Sequence, residues 1–362
     1  MNPTGTPVFR PTASCIWNSF RSSGKRHLIL TGSRGSGKTT LLNLLAGDGL
    51  PGITTWVQPG EAVFLRENTT GCEMPIGLFD PGKPGPDNRM EPFFYGFAAL
   101  GIPALRRCRE SGSGFVSIDE VGYLEQQCPE YRRELEALLE TKQVIAAVRK
   151  QPLPFLQRLL AREDAFVVDL DDPFGLLGCV IMASGLGRRF GGNKLMADFH
   201  GEPMLCRVLD ATGGIFAKRV VVTRHEEIAA LCEEAGIETV LHRLPHRSDT
   251  VRLGLEAVGN VDGCLFCPGD QPLLRRETVA ALALSGRSRP DAIWRCCHGD
   301  RPGSPVLFPA WSFPELMALP QGSGGGHVIK KHPERLGLLD VRDEYELMDV
   351  DSPEDYRVLL ER

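Results

Sequence analysis

The sequence predicts an α/β fold organised as two domains, each built on a largely parallel sheet. Three observations carry that expectation. Short β-branched apolar runs alternate with stretches of helical periodicity from one end of the chain to the other. A length of 362 residues exceeds what one ordinary core organises. Two glycine-rich basic turns, GSRGSGKTT at 32–40 and MASGLGRRFGGNKL at 182–195, each follow such an apolar run. That arrangement presents backbone N–H groups and cations at the carboxyl edge of a sheet, where phosphates bind.

In the first half the strands read as HLILT (27–31), GFVSI (114–118), QVIAAV (143–148) and AFVVDL (165–170). In the second they read as GCVIMA (178–183), KRVVVT (218–223), ETVLH (238–242), DGCLFC (262–267) and DAIWRC (291–296). Between the two sets lies DDPFGLLG, whose Asp172-Pro173 and Gly175 punctuate the chain, so the domains are expected to divide near residue 173. No internal repeat relates the halves. The N-terminus and FDPGKPGPDNRMEP (79–92), rich in Pro and Gly, are expected to lack regular structure.

Composition narrows the function classes. Apolar residues at 42% and charged residues at 24% are those of a soluble globular protein, and a net charge of −5 favours neither nucleic acid nor an anionic membrane as partner. No apolar run approaches the ~20 residues that span a bilayer. Pro3, Pro7 and Pro11 interrupt the first segment, which is therefore not read as a signal peptide. The 11 cysteines are mostly single; Cys264 and Cys267 fall in a buried strand, where positions three apart face opposite ways, and read as buried thiols. His327 and His332 are off the i,i+4 register of a helical metal pair. A reduced, cytoplasmic protein is the simplest expectation.

GSRGSGKTT is a G-x-x-x-x-G-K-T loop between a strand and the helical run TTLLNLLAG. Gly32, Gly35 and Gly37 let the backbone wrap a β-phosphate, Lys38 reaches the β- and γ-oxygens, and Thr39 ligates Mg2+, with Thr40 beginning the helix. The strand GFVSIDE ends in Asp119, expected to hold the magnesium, and Glu120, expected to orient or deprotonate the attacking water. The alternative role for these acids is to cap the following helix. LTGSRGSGKTT, SIDEVGYLE, PEYRRELEALLE and KQVIAAVRK resemble the small nucleoside-triphosphatase family first described from thermophiles, over residues 25–172. The resemblance implies a P-loop NTPase domain over 1–173 that hydrolyses nucleoside triphosphates such as ATP or GTP. The DPGKPGPDNRM region matches little, and the base contacts stay unassigned.

The second turn is not G-x-G-x-x-G, and Asp210, about where a dinucleotide site would need an acid, falls in a helical run; dinucleotide binding is rejected. Arg189 and Lys194 flank the glycines instead, the arrangement that balances charge on a departing pyrophosphate. Nucleotidyl transfer also needs carboxylates for Mg2+. Asp270 follows the apolar strand in CLFCPGDQPLL, and Asp349 and Asp351 alternate on one face of DVDSPEDY. Ser352 is expected to cap the last helix with Pro353 in its first turn; an equally simple role for either terminal acid is to cap that helix.

MASGLGRRFGGNKL, PGDQPLL and DVDSPEDY together resemble the molybdenum cofactor nucleotidyltransferases, the cytidylyltransferase branch above all. Gly185, Arg189, Phe190, Gly191 and Lys194 match the opening L-A-[AG]-G-x-S-x-R-[MF]-G-x-x-K in register. The resemblance covers about 177–360 and implies a Rossmann-like (GT-A-like) nucleotidyltransferase domain over 174–362. HRSDTVRLGL supplies Ser248 and Arg252 facing the nucleotide, and GDRPGSPVLF supplies Gly303 and Pro305. The implied reaction moves a nucleotide from CTP or GTP to the terminal phosphate of molybdopterin. In it Arg189 and Lys194 hold the triphosphate, and Asp270, with Asp349 or Asp351, holds Mg2+. Two departures stand out: Ala183-Ser184-Gly185 is neither A-A-G nor A-G-G, and Gly187 replaces the usual serine. A hydroxyl at 184 is expected to hydrogen-bond a pyrimidine edge, and CTP is favoured over GTP. Two other readings stay open. One is the same chemistry on a sugar phosphate or other acceptor; the other is a nucleotide-gated maturation factor delivering cofactor to an apo-molybdenum hydroxylase.

Overall fold

The computed structural model describes residues 8–82 and 90–362, which form two compact units. One comprises Gly24–Asp172; the other comprises Pro173–Arg362 together with the chain's first segment, up to Ser23. Residues 8–23 therefore do not belong with the P-loop part, where a single boundary near 173 would put them. The helix Ala13–Ser23 carries an apolar face of Cys15, Ile16 and Phe20, all buried, and packs that face on the helix Arg276–Ser288 and the strand Leu336–Asp340. Ser19 and Ser285 hydroxyls meet there at 2.7 Å. A sequence reading of strands alone gives no sign of this, because the partner surface lies some 260 residues further on.

The Gly24–Asp172 unit holds eight strands: β1 (His27–Thr31), β2 (Gly52–Gln58), β3 (Ala62–Glu67), β4 (Glu73–Phe79), β5 (Met90–Pro92), β6 (Phe115–Val121), β7 (Gln143–Val148) and β8 (Ala165–Asp169). They lie in the order β5-β4-β3-β2-β6-β7-β1-β8. The five strands from β2 to β8 are parallel, and β3, β4 and β5 extend the sheet antiparallel. β1 is buried at every position, as a central parallel strand must be. The expectation of an irregular 79–92 is corrected at its ends: Phe79 closes β4 and pairs with Met90 of β5, while 83–89 lie outside the described residues, as do 1–7 of the N-terminal stretch.

The second unit holds β9 (Leu177–Ala183), β10 (Lys218–Thr223), β11 (Glu238–Leu241), β12 (Gly263–Pro268), β13 (Ile293–His298), β14 (Arg301–Pro309) and β15 (Leu336–Asp340). Their order is β11-β10-β9-β12-β14-β13-β15, all parallel except β14, which runs antiparallel to both neighbours. After β9 the chain builds outward through β10 and β11, then returns to the other side of β9 with β12. Connections that diverge in this way open a crevice at the carboxyl ends of β9 and β12, the topological switch point where ligands bind in open α/β sheets. Both units are thus α/β, each on a mostly parallel sheet, the second Rossmann-like.

Candidate functional sites

In the first unit β1 ends at Thr31 and the chain turns through Gly32, Gly35 and Gly37, all at positive φ, into the helix Lys38–Ala46. Gly37 at φ 95° is that helix's N-cap, a conformation that favours glycine. Lys38 is buried, and its Nζ donates to the Gly32 and Ser33 carbonyls at 2.9 Å each, so the ammonium stands inside the loop. β6 runs parallel to β7, which adjoins β1, and this carries Asp119 to the helix start, where Thr39 Oγ1 donates to its Oδ1 at 3.2 Å. Asp119 Oδ2 is buried with no hydrogen-bond partner, and burial pushes the carboxyl up to about 6. A buried carboxylate with one oxygen on a threonine hydroxyl and the other unpartnered is the donor chemistry of a magnesium site completed by phosphates and water.

Glu120 is held by an arginine. Arg149, at the end of β7, holds it through two bonds, Nε to Oε1 at 2.7 Å and an Nη to Oε2 at 3.1 Å. Burial works against the Arg149 charge, but the Glu120 pair outweighs it and its pKa lies above the usual value. Both residues line a cleft of about 1080 Å3 with the P-loop, Thr40 and Glu125. Glu125, fully buried, accepts from the Gly122 N–H at 2.7 Å, and its burial pushes it up to about 7. The far wall carries Trp56, which stacks on Phe64 at 4.6 Å between centroids.

In the second unit the central question is whether the basic turn and the later aspartates meet. They do. Lys194 Nζ donates to Asp270 Oδ2 at 2.6 Å and to Asp351 Oδ1 at 3.2 Å, and an Arg189 Nη lies 3.3 Å from the other Asp351 oxygen. Burial opposes the Lys194 charge, yet the two carboxylates hold its pKa above the ordinary lysine value. Asp349 stands behind them: burial first, then the charges of Asp270 and Asp351, push it up to about 6, against a hydrogen bond with Gln271.

Local structure explains the convergence. Gly187 bends the turn so that its carbonyl accepts from the Phe190 and Gly191 N–H groups at 3.0 Å each. Its φ is +57°, and a Cβ there would fall 1.9 Å from the Gly192 carbonyl oxygen, which accounts for glycine at this position. Phe190 packs edge-on against Tyr356 of the helix Pro353–Leu360 at 5.7 Å, tying the turn to the C-terminal segment. Ser352 and Asp355 cap that helix reciprocally, which leaves Asp349 and Asp351 free of capping duty. The Val350 N–H donates to the Asp270 carbonyl at 2.9 Å, holding the two acidic segments side by side.

Other expected residues fall elsewhere. Ala183 closes β9, and Gly185 offers its carbonyl to His225 Nε2 at 2.8 Å. Gly191 is exposed in the turn. The Ser184 hydroxyl does not wait for a pyrimidine: it donates to the Val222 carbonyl at 3.0 Å and meets His242 Nε2 at 2.8 Å. Since His242 Nδ1 accepts from the Leu244 N–H at 3.1 Å, the proton is on Nε2 and Ser184 accepts it. Ser248 is buried, and Arg252 pairs along its own helix with Glu256 at 3.2 Å and Asp249 at 3.8 Å, outside the Lys194 cluster. Sequence reasoning missed Gln271, Arg149 and His242; Gln271 stood in the quoted GDQP. Cys264 and Cys267 are buried thiols with raised pKa, desolvation being the cause. Among the described residues no group of three His, Cys, Asp or Glu side chains is spaced to hold a metal unaided. Magnesium asks for less, one or two carboxylates with substrate phosphates supplying the rest, and Asp270 with either terminal acid fits.

Two α/β units, each with a buried lysine in a glycine-rich turn facing a carboxylate at a sheet's edge, define a two-part nucleotide-handling enzyme. Residues 179–336 match the MobA-like NTP transferase domain and residues 86–173 match the NTPase family, so the chain carries an NTPase domain followed by a nucleotidyltransferase domain. Among curated relatives, a 3-deoxy-manno-octulosonate cytidylyltransferase of Neisseria meningitidis serogroup A is 37% identical over 101 residues, 25% of this chain and 38% of the relative. Among solved structures, molybdopterin-guanine dinucleotide biosynthesis protein A from Archaeoglobus fulgidus is 19% identical, covering 51% of this chain and 97% of its own, with a TM-score of 0.41. THEP1 from Aquifex aeolicus is 21% identical, covering 40% of this chain and 89% of its own, with a TM-score of 0.35. No helix among the described residues is long and apolar enough to cross a membrane.

Proposed function

We propose that the second unit transfers a nucleotide, from CTP in preference to GTP, to the terminal phosphate of molybdopterin with release of pyrophosphate, while the first hydrolyses nucleoside triphosphates. The observation that carries the transferase reading is the Lys194 ammonium shared by Asp270 and Asp351, with Arg189 on the second oxygen of Asp351. Arg189 and Lys194 bind the β- and γ-phosphates and take up the charge that develops on the leaving pyrophosphate. Asp270, with Asp349 or Asp351, would hold a magnesium ion, which when bound neutralises phosphate charge. An acceptor phosphate oxygen forms a bond to the α-phosphorus as the α–β bridge breaks, and no side-chain nucleophile is needed.

At the P-loop, Lys38 binds the β- and γ-oxygens, Thr39 and Asp119 are the residues that would hold magnesium, and Glu120 with Arg149 orients the attacking water. The favoured setting is cytoplasmic maturation of a molybdenum hydroxylase, with the apo-enzyme as eventual recipient. Incubation with molybdopterin, Mg2+ and each NTP, with pyrophosphate measured, tests the transferase reading. Release with CTP, lost in Asp270→Ala, supports it; no release with any nucleotide ends it. A second reading keeps the transfer and changes the acceptor to a sugar acid or sugar phosphate, favoured by the relatives named 3-deoxy-manno-octulosonate cytidylyltransferase.

A further inference from the structure

The cleft of the Gly24–Asp172 unit runs on past the point where a P-loop ends its ligand. Such a loop cradles the α- and β-phosphates, and its lysine and metal-binding hydroxyl mark the γ end. Here that end lies at Lys38, Thr39 and Asp119, so the nucleoside of a bound triphosphate trails off the other way, from the α-phosphate. Beyond the γ end the cleft continues across the end of β6 to β2, where hydrolysis needs nothing but a water. At about 1080 Å3 the whole cleft exceeds the roughly 300–1000 Å3 of a single small-molecule site.

Strand register places the wall of that further stretch. Thr54 of β2 pairs with Asp119 of β6, and Trp56, two residues on, points to the same sheet face about 7 Å further along. Trp56 is the cross-strand partner of Phe64 on β3, and the two rings stack at 4.6 Å with 11° between their planes. Phe64 covers the indole from the β3 side and is not part of the cleft lining. The other indole face therefore looks across the end of β6, toward Glu120 and Tyr123. An indole backed on one face and still 39% exposed is a platform for a second flat ring.

The charges of this stretch select against an anion. Glu120 lines it next to the γ end, its carboxylate fixed by two bonds from Arg149. Lys150 is taken up by Asp169 at 2.6 Å and Asp171 at 3.2 Å. Outside the P-loop these two are the cations of the described lining, and carboxylates already engage both. A neutral molecule fits better, with a hydroxyl that donates to Glu120 and a ring that lies on Trp56. A nucleoside has both, and its sugar bridges the interval.

We propose that the first unit is a phosphotransferase as well as a hydrolase, and that this stretch seats a nucleoside as phosphoryl acceptor, its base on Trp56 and a sugar hydroxyl at Glu120. The proposal rests on the P-loop reading of this unit. The hydroxyl oxygen bonds to the γ-phosphorus, the β–γ P–O bond breaks, and its electron pair leaves on the nucleoside diphosphate. The hydroxyl proton passes to a Glu120 oxygen. Water in the place of the hydroxyl gives inorganic phosphate instead.

The test incubates full-length protein with Mg2+, ATP labelled at the γ-phosphate, and adenosine, guanosine, cytidine or uridine. Glycerol serves as an alcohol without a ring. Labelled nucleoside monophosphate and labelled inorganic phosphate are separated and measured. The expected result is label on at least one nucleoside, rising as inorganic phosphate falls, and absent both with glycerol and in Lys38→Ala. Trp56→Ala raises the nucleoside KM roughly ten- to hundredfold, and Trp56→Phe, which keeps a flat ring, recovers most of it. Label confined to inorganic phosphate with all four nucleosides overturns the phosphotransfer alone. Equal label on glycerol, or a nucleoside KM unmoved in Trp56→Ala, overturns the seat on Trp56. No labelled product of either kind overturns the P-loop reading and this proposal with it.

Discussion

Three carboxylates crowd one ammonium at the second site, and charge balance there favours a polyanion that brings its own cation. On the proposed function, removing the ammonium removes the group that receives developing charge on pyrophosphate. Lys194→Ala therefore lowers pyrophosphate release about 10²–10³-fold, with phosphate release at the P-loop unchanged; equal transfer by the variant would dismiss the role of Lys194. His27 gives a pH prediction. Its Nδ1 accepts from the Val144 N–H at 3.2 Å, which requires the neutral ring, and burial lowers its pKa despite Asp164 at 3.3 Å. Above about 6.5 both folded and unfolded forms are neutral, and His27 leaves stability independent of pH. As pH falls below that, the unfolded chain takes a proton that the folded ring refuses, so stability declines by at most about 1.4 kcal/mol per unit until the folded pKa is reached. Hydrogen exchange in β1 and β7 reads this, and His27→Gln flattens the slope. Lys38, Lys194, Asp119 and Asp270 were legible in the sequence because each sits in a contiguous motif at a strand end. Ser184 was not, since its partner His242 lies 58 residues away, just past a strand whose neighbours the sequence does not declare.

At the scale of elements, the turn after β9 works because Gly187 alone tolerates its backbone. Gly187→Ala forces a side chain into the left-handed region and against the Gly192 carbonyl. The NTP KM should rise roughly tenfold while the thermal midpoint barely moves, the turn being exposed; an unchanged KM would mean the turn does not contact the nucleotide. The helix Ala13–Ser23 makes a separate prediction. Ile16 is fully buried, and Ile16→Ala should cost about 2–5 kcal/mol in the transferase unit while leaving the transition that ATP stabilises in place. A shift of the ATP-linked transition instead would contradict the assignment of this helix. Nine of the fifteen strands follow apolar β-branched runs that any reading finds. β14 hides because RPGSPVLFP carries three prolines, which normally argue against an interior strand. β2, β4 and β5 hide because polar, Gly or Pro residues break up their short apolar runs, and β3 because its AVFL is too short to separate from a helical segment by periodicity.

For the whole molecule, the proposed function has the two glycine-rich turns serve different bonds of a triphosphate, one at γ and one at α. Each is complete within its own unit, with Lys38, Thr39 and Asp119 in one and Arg189, Lys194, Asp270 and Asp351 in the other. The loss of one activity should therefore spare the other. The most direct measurement follows both products from one reaction mixture of full-length protein, Mg2+, CTP, ATP and molybdopterin, comparing wild type with Lys38→Ala and Asp270→Asn. The account predicts that Asp270→Asn loses pyrophosphate and keeps phosphate, and that Lys38→Ala does the reverse. Undiminished pyrophosphate release from Asp270→Asn would contradict the claim that the basic turn and this aspartate hold a single triphosphate.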